Sequence, residues 1–210
     1  MPAKPFESTM QDLVYNMDVG AGLQIIKKGL YFLFICILLV VYPYSQFHGF
    51  KEAEAMEYAQ LGRNLMTHGQ LATQCVRPAS LWYLTQHLSA DGQVINQQKL
   101  VDQHPDILHP PLYPALLAVV FKITGVTFAL ARGAWIFSPE KIITAVNILF
   151  TALTGLMVFL LGRRLFDRRA AFLAVTAYFL SDTILDMSIS GLGIPLTAFL
   201  SISAVYFALV

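Results

Sequence analysis

The heptapeptide Arg163-Arg164-Leu165-Phe166-Asp167-Arg168-Arg169 separates two apolar segments, 141–162 and 169–187. Each segment has about the 20 residues that an α-helix needs to cross a bilayer. Arginines beside such segments are typical of the cytoplasmic side, because Lys and Arg are enriched in the loops that stay inside. The heptapeptide therefore predicts a short cytoplasmic turn between two transmembrane helices.

The composition of the whole chain also indicates a membrane protein. Hydrophobic residues make up 56% of the 210 residues, charged residues 13%, and the mean hydropathy is +0.59. A soluble domain has about 25% charged residues. The net charge of +1 offers no basic face for a phosphate backbone, so we expect no nucleic-acid partner. Cys36 lies in an apolar segment and Cys75 in a polar one, which favours two free thiols over a disulfide.

Counting the apolar segments places the rest of the chain. Lys27-Lys28 stands before the apolar segment 29–47 and predicts that this segment starts in the cytoplasm. The segment 141–162 must then return to the cytoplasm, which leaves the polar region before it outside. The apolar stretch 112–124 is short for a span and favours a juxtamembrane helix, although a true span there remains the alternative.

The predicted fold is all-α: a polytopic membrane protein with about four transmembrane helices and a helical outer loop after the first span. Its predicted parts are a cytoplasmic tail 1–28, a span 29–47, an outer loop 48–140, a span 141–162, a cytoplasmic turn 163–168, a span 169–187, an outer turn 188–191 and a span 192–210. The last apolar segment has no polar end, so we expect the N-terminal part of a longer protein.

An acidic helix start follows the first span. In the predicted helix 52–68, Glu54, Tyr58, Leu61 and Leu65 recur on one face, so a carboxylate heads an otherwise apolar stripe. A carboxylate held there could act as a general base. The alternative is that the acidic residues of this helix only complement the positive end of the helix dipole.

His109-Pro110-Pro111 marks the point where the outer loop turns back to the membrane. The prolines restrict the backbone, so the imidazole is held in place and could hydrogen-bond a phosphate, orient a carboxylate or bind a metal. A purely structural histidine is the alternative. His104, Asp106 and His109 do not have the spacing of a known metal site, so the cofactor is unknown, and a possible divalent metal has no clear ligand set.

Other charged residues could complete a site for an anionic lipid. Arg63, Arg77 and Arg132 lie in the predicted outer loop, where guanidinium groups would suit phosphate oxygens. They could equally be solvated or face lipid headgroups. Asp182 and Asp186 are four residues apart near the outer end of the predicted third span. They either have a structural role at the helix end or belong to the site.

Several of these motifs in this order resemble a known family. The segment 54–65, Arg77-Pro78, His109-Pro110-Pro111-Leu112-Tyr113-Pro114 and the turn around 161–171 are similar to the N-terminal part of the GT-C glycosyltransferases. The nearest relatives look like the bacterial family 39-like group of dolichyl-phosphate-mannose protein mannosyltransferases and the lipid A aminoarabinose transferase.

The resemblance implies transfer of a sugar from a polyprenyl-phosphate donor to a lipid, glycan or protein acceptor, with inversion, at the outer membrane face. It implies a bacterial inner membrane with the catalytic loop in the periplasm. By motif position, the resemblance implies that Glu54 is the general base that deprotonates the acceptor hydroxyl, with Glu57 as the next candidate. Contact with the substrate is implied for His109, Arg63, Arg77, Tyr58 and Tyr113.

The chain departs from this family in two places. Many relatives have Asp at the position of Glu54, and many have an acidic residue where this chain reads 190–195 without one. A second hypothesis is a non-catalytic membrane module that binds polyprenyl-phosphate lipid or assembles with a membrane partner. Replacing Glu54 with Gln separates the two, because only the enzyme would lose its activity.

Overall fold

The computed structural model describes residues 21–90, 104–129, 133 and 136–209. Backbone contacts divide the chain into two units, Met1–Gln46 and Phe47–Val210. The described elements, in order, are α1 Ala21–Gln46, α2 Ala53–His68, β1 Ala72–Thr73, α3 Pro78–Ala90, β2 His104–Pro105, α4 Leu112–Thr124, α5 Ser138–Leu165, α6 Arg168–Leu180, α7 Asp182–Ile189 and α8 Ile194–Ala208.

Helix α1 is the described part of the first unit. Its stretch Ile25–Gln46 has a mean hydropathy of 2.2, so it is long and apolar enough to cross a membrane. Phe32 and Val40 are about two-thirds exposed within the chain, as suits side chains that face lipid. The predicted span at 29–47 is a helix, and it begins earlier than expected, inside the predicted tail 1–28. Residues 1–20 of that tail lie outside the described residues.

Helix α5 is the second helix long enough to span a membrane. Its 28 residues extend about 42 Å, against about 30 Å for the hydrocarbon core of a bilayer. It covers the predicted span 141–162 and runs on through Arg163 and Arg164, which were expected in the turn. Cations in the last turn are favourable there because they face the negative end of the helix dipole.

The third predicted span, 169–187, is a bent pair of helices. Helices α6 and α7 meet at Ser181 with a bend of 58°. Ser181 has extended backbone and Asp182 opens the next helix, an order that favours a new helix start over continuation. Residues 192–210 contain α8, whose 15 residues extend about 22 Å. The described chain thus has two helices that can span a membrane, or three if the bent pair counts as one, and four spans stay a prediction.

The region predicted as the outer loop contains helices α2, α3 and α4. The predicted helix 52–68 is confirmed as α2. The stretch 112–124 is also helical, and its 13 residues extend about 20 Å, too short for a straight span. The described chain is mostly helical, as the all-α prediction expects, and the strands β1 and β2 form only a two-residue antiparallel pair, with Thr73 opposite His104.

Close packing of α2 on α4 builds the core of the second unit. Gly62 makes this approach possible, because a Cβ there would lie 2.9 Å from Leu117 Cβ. The buried apolar residues around the contact form one cluster. Its members are Tyr58, Tyr113, Leu117, Phe121, Ile143 and Leu196. Residues from α2, α4, α5 and α8 therefore meet in one core, which also holds the two tyrosines beside the candidate site.

Candidate functional site

Two glutamates of α2 lie in different surroundings although they are only three positions apart in the sequence. Glu54 is exposed and lines a pocket of about 250 Å³. The Glu57 side chain is 12% exposed and lies among charged groups. We name the two surroundings the Glu54 pocket and the Glu57 cluster, the latter made of Glu57, Arg77, Asp106 and His109.

The Glu54 pocket joins α2 to the chain around the start of α8. Pro110 and Leu112 line one side of the pocket, and Leu192 and Leu196 line another. Among the described residues that line the pocket, Glu54 is the only carboxylate. A mostly apolar pocket with one acidic group suits a ligand that has an apolar part beside a polar or ionisable one.

Tyr58 connects the Glu54 carboxylate to the aromatic core. Its ring packs edge-on against His109, with centroids 4.8 Å apart, and against Tyr113 at 5.2 Å. Burial raises the pKa of the Tyr58 phenol, and the charge of Glu54 and a hydrogen bond to it raise the pKa further. The phenol is therefore a neutral donor held beside the Glu54 carboxylate.

The Glu57 cluster combines one arginine–glutamate ion pair with two close contacts of a histidine ring. Arg77 pairs with Glu57 Oε2, and His109 Nε2 lies 3.4 Å from the same oxygen. His109 Nδ1 lies 3.0 Å from Asp106 Oδ2, which also accepts a hydrogen bond from the His109 backbone N–H. The side chains of His109 and Asp106 are 3% and 5% exposed. Nearly buried polar groups of this kind are costly unless they have polar partners.

Cys75 and Arg77 both respond to the carboxylate of Glu57. A hydrogen bond to Glu57 raises the pKa of the Cys75 thiol, and burial and the Glu57 charge act in the same direction. Burial lowers the pKa of the Arg77 guanidinium, but the hydrogen bond to Glu57 and its charge outweigh this, so the net pKa is raised. The Glu57 carboxylate is therefore shared by partners of its own chain.

Tyr113 lines the Glu54 pocket and has a buried, hydrogen-bonded hydroxyl. Its hydroxyl donates to Asn147 Oδ1 at 2.9 Å and lies 3.1 Å from the Gly191 carbonyl oxygen. Asn147 Nδ2 donates to the Leu192 carbonyl oxygen at 3.0 Å. Sequence reasoning missed Asn147. A fully buried amide in an apolar segment is costly unless it is hydrogen-bonded, and that cost was the available signal.

The remaining predicted site residues lie apart from these two regions or outside the described chain. The Arg63 guanidinium lies 5.1 Å from the centroid of the Phe128 ring, so it stacks on an aromatic side chain. Asp182 and Asp186 are exposed on α7. Arg132 lies outside the described residues. The structure thus brings Glu57, Arg77 and His109 together, and Glu54 with Tyr58 and Tyr113.

The described residues contain no metal-binding cluster, that is, no group of at least three His, Cys, Asp or Glu side chains that could hold an ion together. Cys36 and Cys75 are free thiols.

No family model, no curated protein and no solved structure matches the chain. The fold and the two long apolar helices define a helical membrane protein.

Proposed function

We propose that this chain is the N-terminal part of a GT-C type glycosyltransferase that takes a sugar from a polyprenyl-phosphate donor. The observation that carries the proposal is the separation of the two glutamates. Glu54 faces a pocket, while Glu57 is engaged by Arg77 and His109. A general base must reach the proton that it removes, and Glu54 meets this condition better than Glu57.

In the proposed reaction, Glu54 takes the proton of an acceptor hydroxyl as the hydroxyl oxygen bonds to the anomeric carbon of the sugar. The bond from that carbon to the phosphate oxygen breaks, and the lipid phosphate leaves with the electron pair, so the configuration inverts. Tyr58 orients the Glu54 carboxylate by its hydrogen bond. The acceptor is a lipid, glycan or protein.

The lipid phosphate needs a cationic partner, and Arg77 is the proposed one. Its side chain is 32% exposed although it is paired with Glu57, so part of the guanidinium stays accessible. His109 is 3% exposed and is proposed to act indirectly, by fixing Glu57 and packing on Tyr58. Tyr113 holds the turn at 190–193 against the pocket through its contact with Gly191.

The proposed topology has four spans, formed by α1, α5, the bent pair α6–α7 and α8. Lys27, Lys28 and the arginines of 163–169 would lie in the cytoplasm, and the Glu54 pocket at the outer face. The proposed location is a bacterial inner membrane with the pocket toward the periplasm. Cysteine labelling from either side at His48 and Phe166, each changed to Cys, reports this orientation.

The test is transfer of radiolabelled sugar from a panel of polyprenyl-phosphate sugars, in membranes that contain the full-length protein. Wild type should transfer one donor's sugar, and Glu54→Gln should lose transfer at equal expression. Glu52→Gln is the matched control, because Glu52 also stands at the start of α2 but makes no side-chain cap and does not line the pocket. Equal transfer by wild type and Glu54→Gln would remove Glu54 from the chemistry.

The apolar lining of the pocket favours a second candidate, a non-catalytic module that binds polyprenyl-phosphate lipid. Leu192, Leu196 and Pro110 offer no catalytic group but would accept an isoprenoid chain. Binding of a polyprenyl phosphate without transfer, unchanged in Glu54→Gln, would support this module and contradict the enzyme.

A further inference from the structure

An apolar groove lies at the end of α5 that carries the arginines. It has a volume of about 350 Å³ and is lined by α5, the start of α6 and α8. Its lining residues include Val158, Leu161, Leu165, Phe166, Ala174 and Ile202. We name this the α5–α6 groove. It is separate from the Glu54 pocket and shares no lining residue with it.

Small side chains create the groove where α5 and α6 converge. A Cβ on Gly162 would lie 3.1 Å from Ala171 Cα, so the two backbones approach closely there. Ala170 and Ala174 on α6 are too small to fill the space beside this contact. At the mouth, Phe166 and Leu165 are 74% and 52% exposed. The groove is therefore an open apolar slot rather than a packed interior.

Uncompensated positive charge surrounds the mouth of the groove. Residues 163–169 contain four arginines and one aspartate, which leaves a net charge of +3. The Asp167 carboxylate accepts a hydrogen bond of 2.7 Å from Ala170 N and so caps α6. Within the described part of the chain, none of these four arginines forms an ion pair with a carboxylate.

Two of the arginines lie over aromatic rings near this end of α5. The Arg164 guanidinium lies 5.9 Å from the Tyr206 ring centroid, and that of Arg168 lies 5.8 Å from the Phe172 ring centroid. Such contacts hold the cations near the protein surface while leaving guanidinium N–H groups available. They remain able to bind a phosphate bidentately.

We propose that the α5–α6 groove binds an anionic phospholipid, with an acyl chain against its apolar lining and the phosphate on the arginines of 163–169. The two halves of the site match the two halves of that lipid. Because α5 is long and apolar enough to cross a membrane, its charged end lies at the depth of the headgroups. A lipid with net negative charge fits a net charge of +3 better than a zwitterionic one.

The test is native mass spectrometry of the full-length protein, purified in mild detergent and mixed with phosphatidylglycerol or phosphatidylcholine of equal acyl chains. Phosphatidylglycerol should be retained at least about tenfold more tightly. The double variant Arg164→Gln, Arg168→Gln should weaken its retention roughly 25-fold, since each cation near an anionic lipid contributes about fivefold. Both side chains project from the surface at the ends of helices, so the fold should survive.

Two control variants distinguish lipid binding in the groove from non-specific attraction of the lipid to positive charge. Ala174→Trp should remove the phosphatidylglycerol adduct with all arginines present, whereas Leu173→Trp, at an exposed neighbour outside the lining, should leave it. Lys27→Gln with Lys28→Gln should also leave it, because neither lysine is among the residues that line the groove. Thermal unfolding of each variant confirms that it is folded.

Several outcomes would overturn the proposal. They are equal retention of the two lipids, retention that survives the arginine variant, and displacement of the lipid by millimolar inorganic phosphate alone, which would mean that the acyl chain makes no contribution. A dimer of the chain in place of the lipid adduct would show that the groove binds a second copy of the chain and not a lipid. None of these readouts depends on sugar transfer.

Discussion

The Glu54 pocket and the Glu57 cluster begin less than one helical turn apart on α2 and yet differ in every other respect. Glu54 is exposed to a pocket with apolar walls, and its hydrogen-bond partner is the neutral phenol of Tyr58. Glu57 is mostly buried, with Arg77, His109 and Cys75 around it. The same side chain is thus available for chemistry at one position and tied up in structure at the other.

Removing the Glu57 carboxylate should cause the largest loss of stability. Glu57→Ala leaves Arg77 and the nearly buried His109 without their shared partner, which we expect to cost about 1–3 kcal/mol of unfolding free energy, reduced from the fully buried case because Arg77 is 32% exposed. Unfolding of wild type and Glu57→Ala in mixed detergent and SDS micelles measures this loss of unfolding free energy.

A double-mutant cycle sharpens this prediction. Glu57→Ala with His109→Ala should cost less than the sum of the two single changes, because both remove the same interaction. Glu54→Ala is the control and should change stability by no more than about 0.5 kcal/mol, since its side chain is exposed. A loss of stability in Glu54→Ala as large as that in Glu57→Ala would erase the contrast between the two regions.

A smaller loss of stability is expected where α2 packs on α4. Gly62→Ala places a Cβ 2.9 Å from Leu117 Cβ, so the helices must separate, at a cost of about 1–2 kcal/mol. Gly29→Ala is the control, because a Cβ at Gly29 meets nothing within 4 Å. The same unfolding assay should show a lower stability for Gly62→Ala alone. If both variants match wild type, this contact does not position the two glutamates.

The thiol of Cys75 reports the charge of Glu57. The pKa of the Cys75 thiol is raised above its ordinary value because Glu57 accepts its hydrogen bond, because the thiol is partly buried, and because the carboxylate is negative. Iodoacetamide reacts with the thiolate, so the pH midpoint of alkylation should lie above that of a free cysteine in the same assay and fall toward it in Glu57→Gln. Alkylation is measured by mass spectrometry in a Cys36→Ser background, in which Cys75 is the remaining cysteine.

This raised pKa also links stability to pH. The unfolded thiol ionises first, so the contribution of Cys75 to stability is fully present below the unfolded-state pKa of the thiol and is lost as the pH rises through the raised folded-state pKa. Glu54→Gln should leave the alkylation midpoint unchanged. A shift in Glu54→Gln equal to that in Glu57→Gln would mean that the thiol senses both carboxylates.

The smallest effect is expected at Tyr58. Tyr58→Phe keeps the edge-on packing against His109 and Tyr113 but removes the hydroxyl that hydrogen-bonds Glu54. A neutral donor to a carboxylate contributes about one hydrogen bond, so the initial rate of transfer should fall about threefold to tenfold with stability little changed. An unchanged rate would show that Glu54 needs no help from Tyr58.

The sequence predicted what depends on local composition. Apolar runs near 29–47 and 141–162 are helices because some 20 apolar residues in a row suit lipid, and α2 forms where the residues between Glu52 and His68 favour a helix. The break at Ser181 was missed, because an apolar average over 169–187 hides one residue with extended backbone. Length and hydropathy cannot tell a straight span from a bent one.

The candidate site could be predicted only in part, because its decisive contacts join distant residues. Glu54 and Glu57 were ranked by motif position, yet the difference between them arises from Arg77 and His109, which lie 20 and 52 positions beyond Glu57. The link from Tyr113 to Asn147 and Gly191 likewise joins three elements. No periodicity within one segment carries such information.

The most direct test compares the initial rates of sugar transfer by Glu54→Gln and Glu57→Gln, each divided by the amount of folded protein in the same membranes. We expect a fall of about 10²-fold or more for Glu54→Gln, the range of a lost general base, and a fall of less than about tenfold for Glu57→Gln. The reverse order, with transfer abolished by Glu57→Gln and kept by Glu54→Gln, would contradict the assignment of Glu54 as the base.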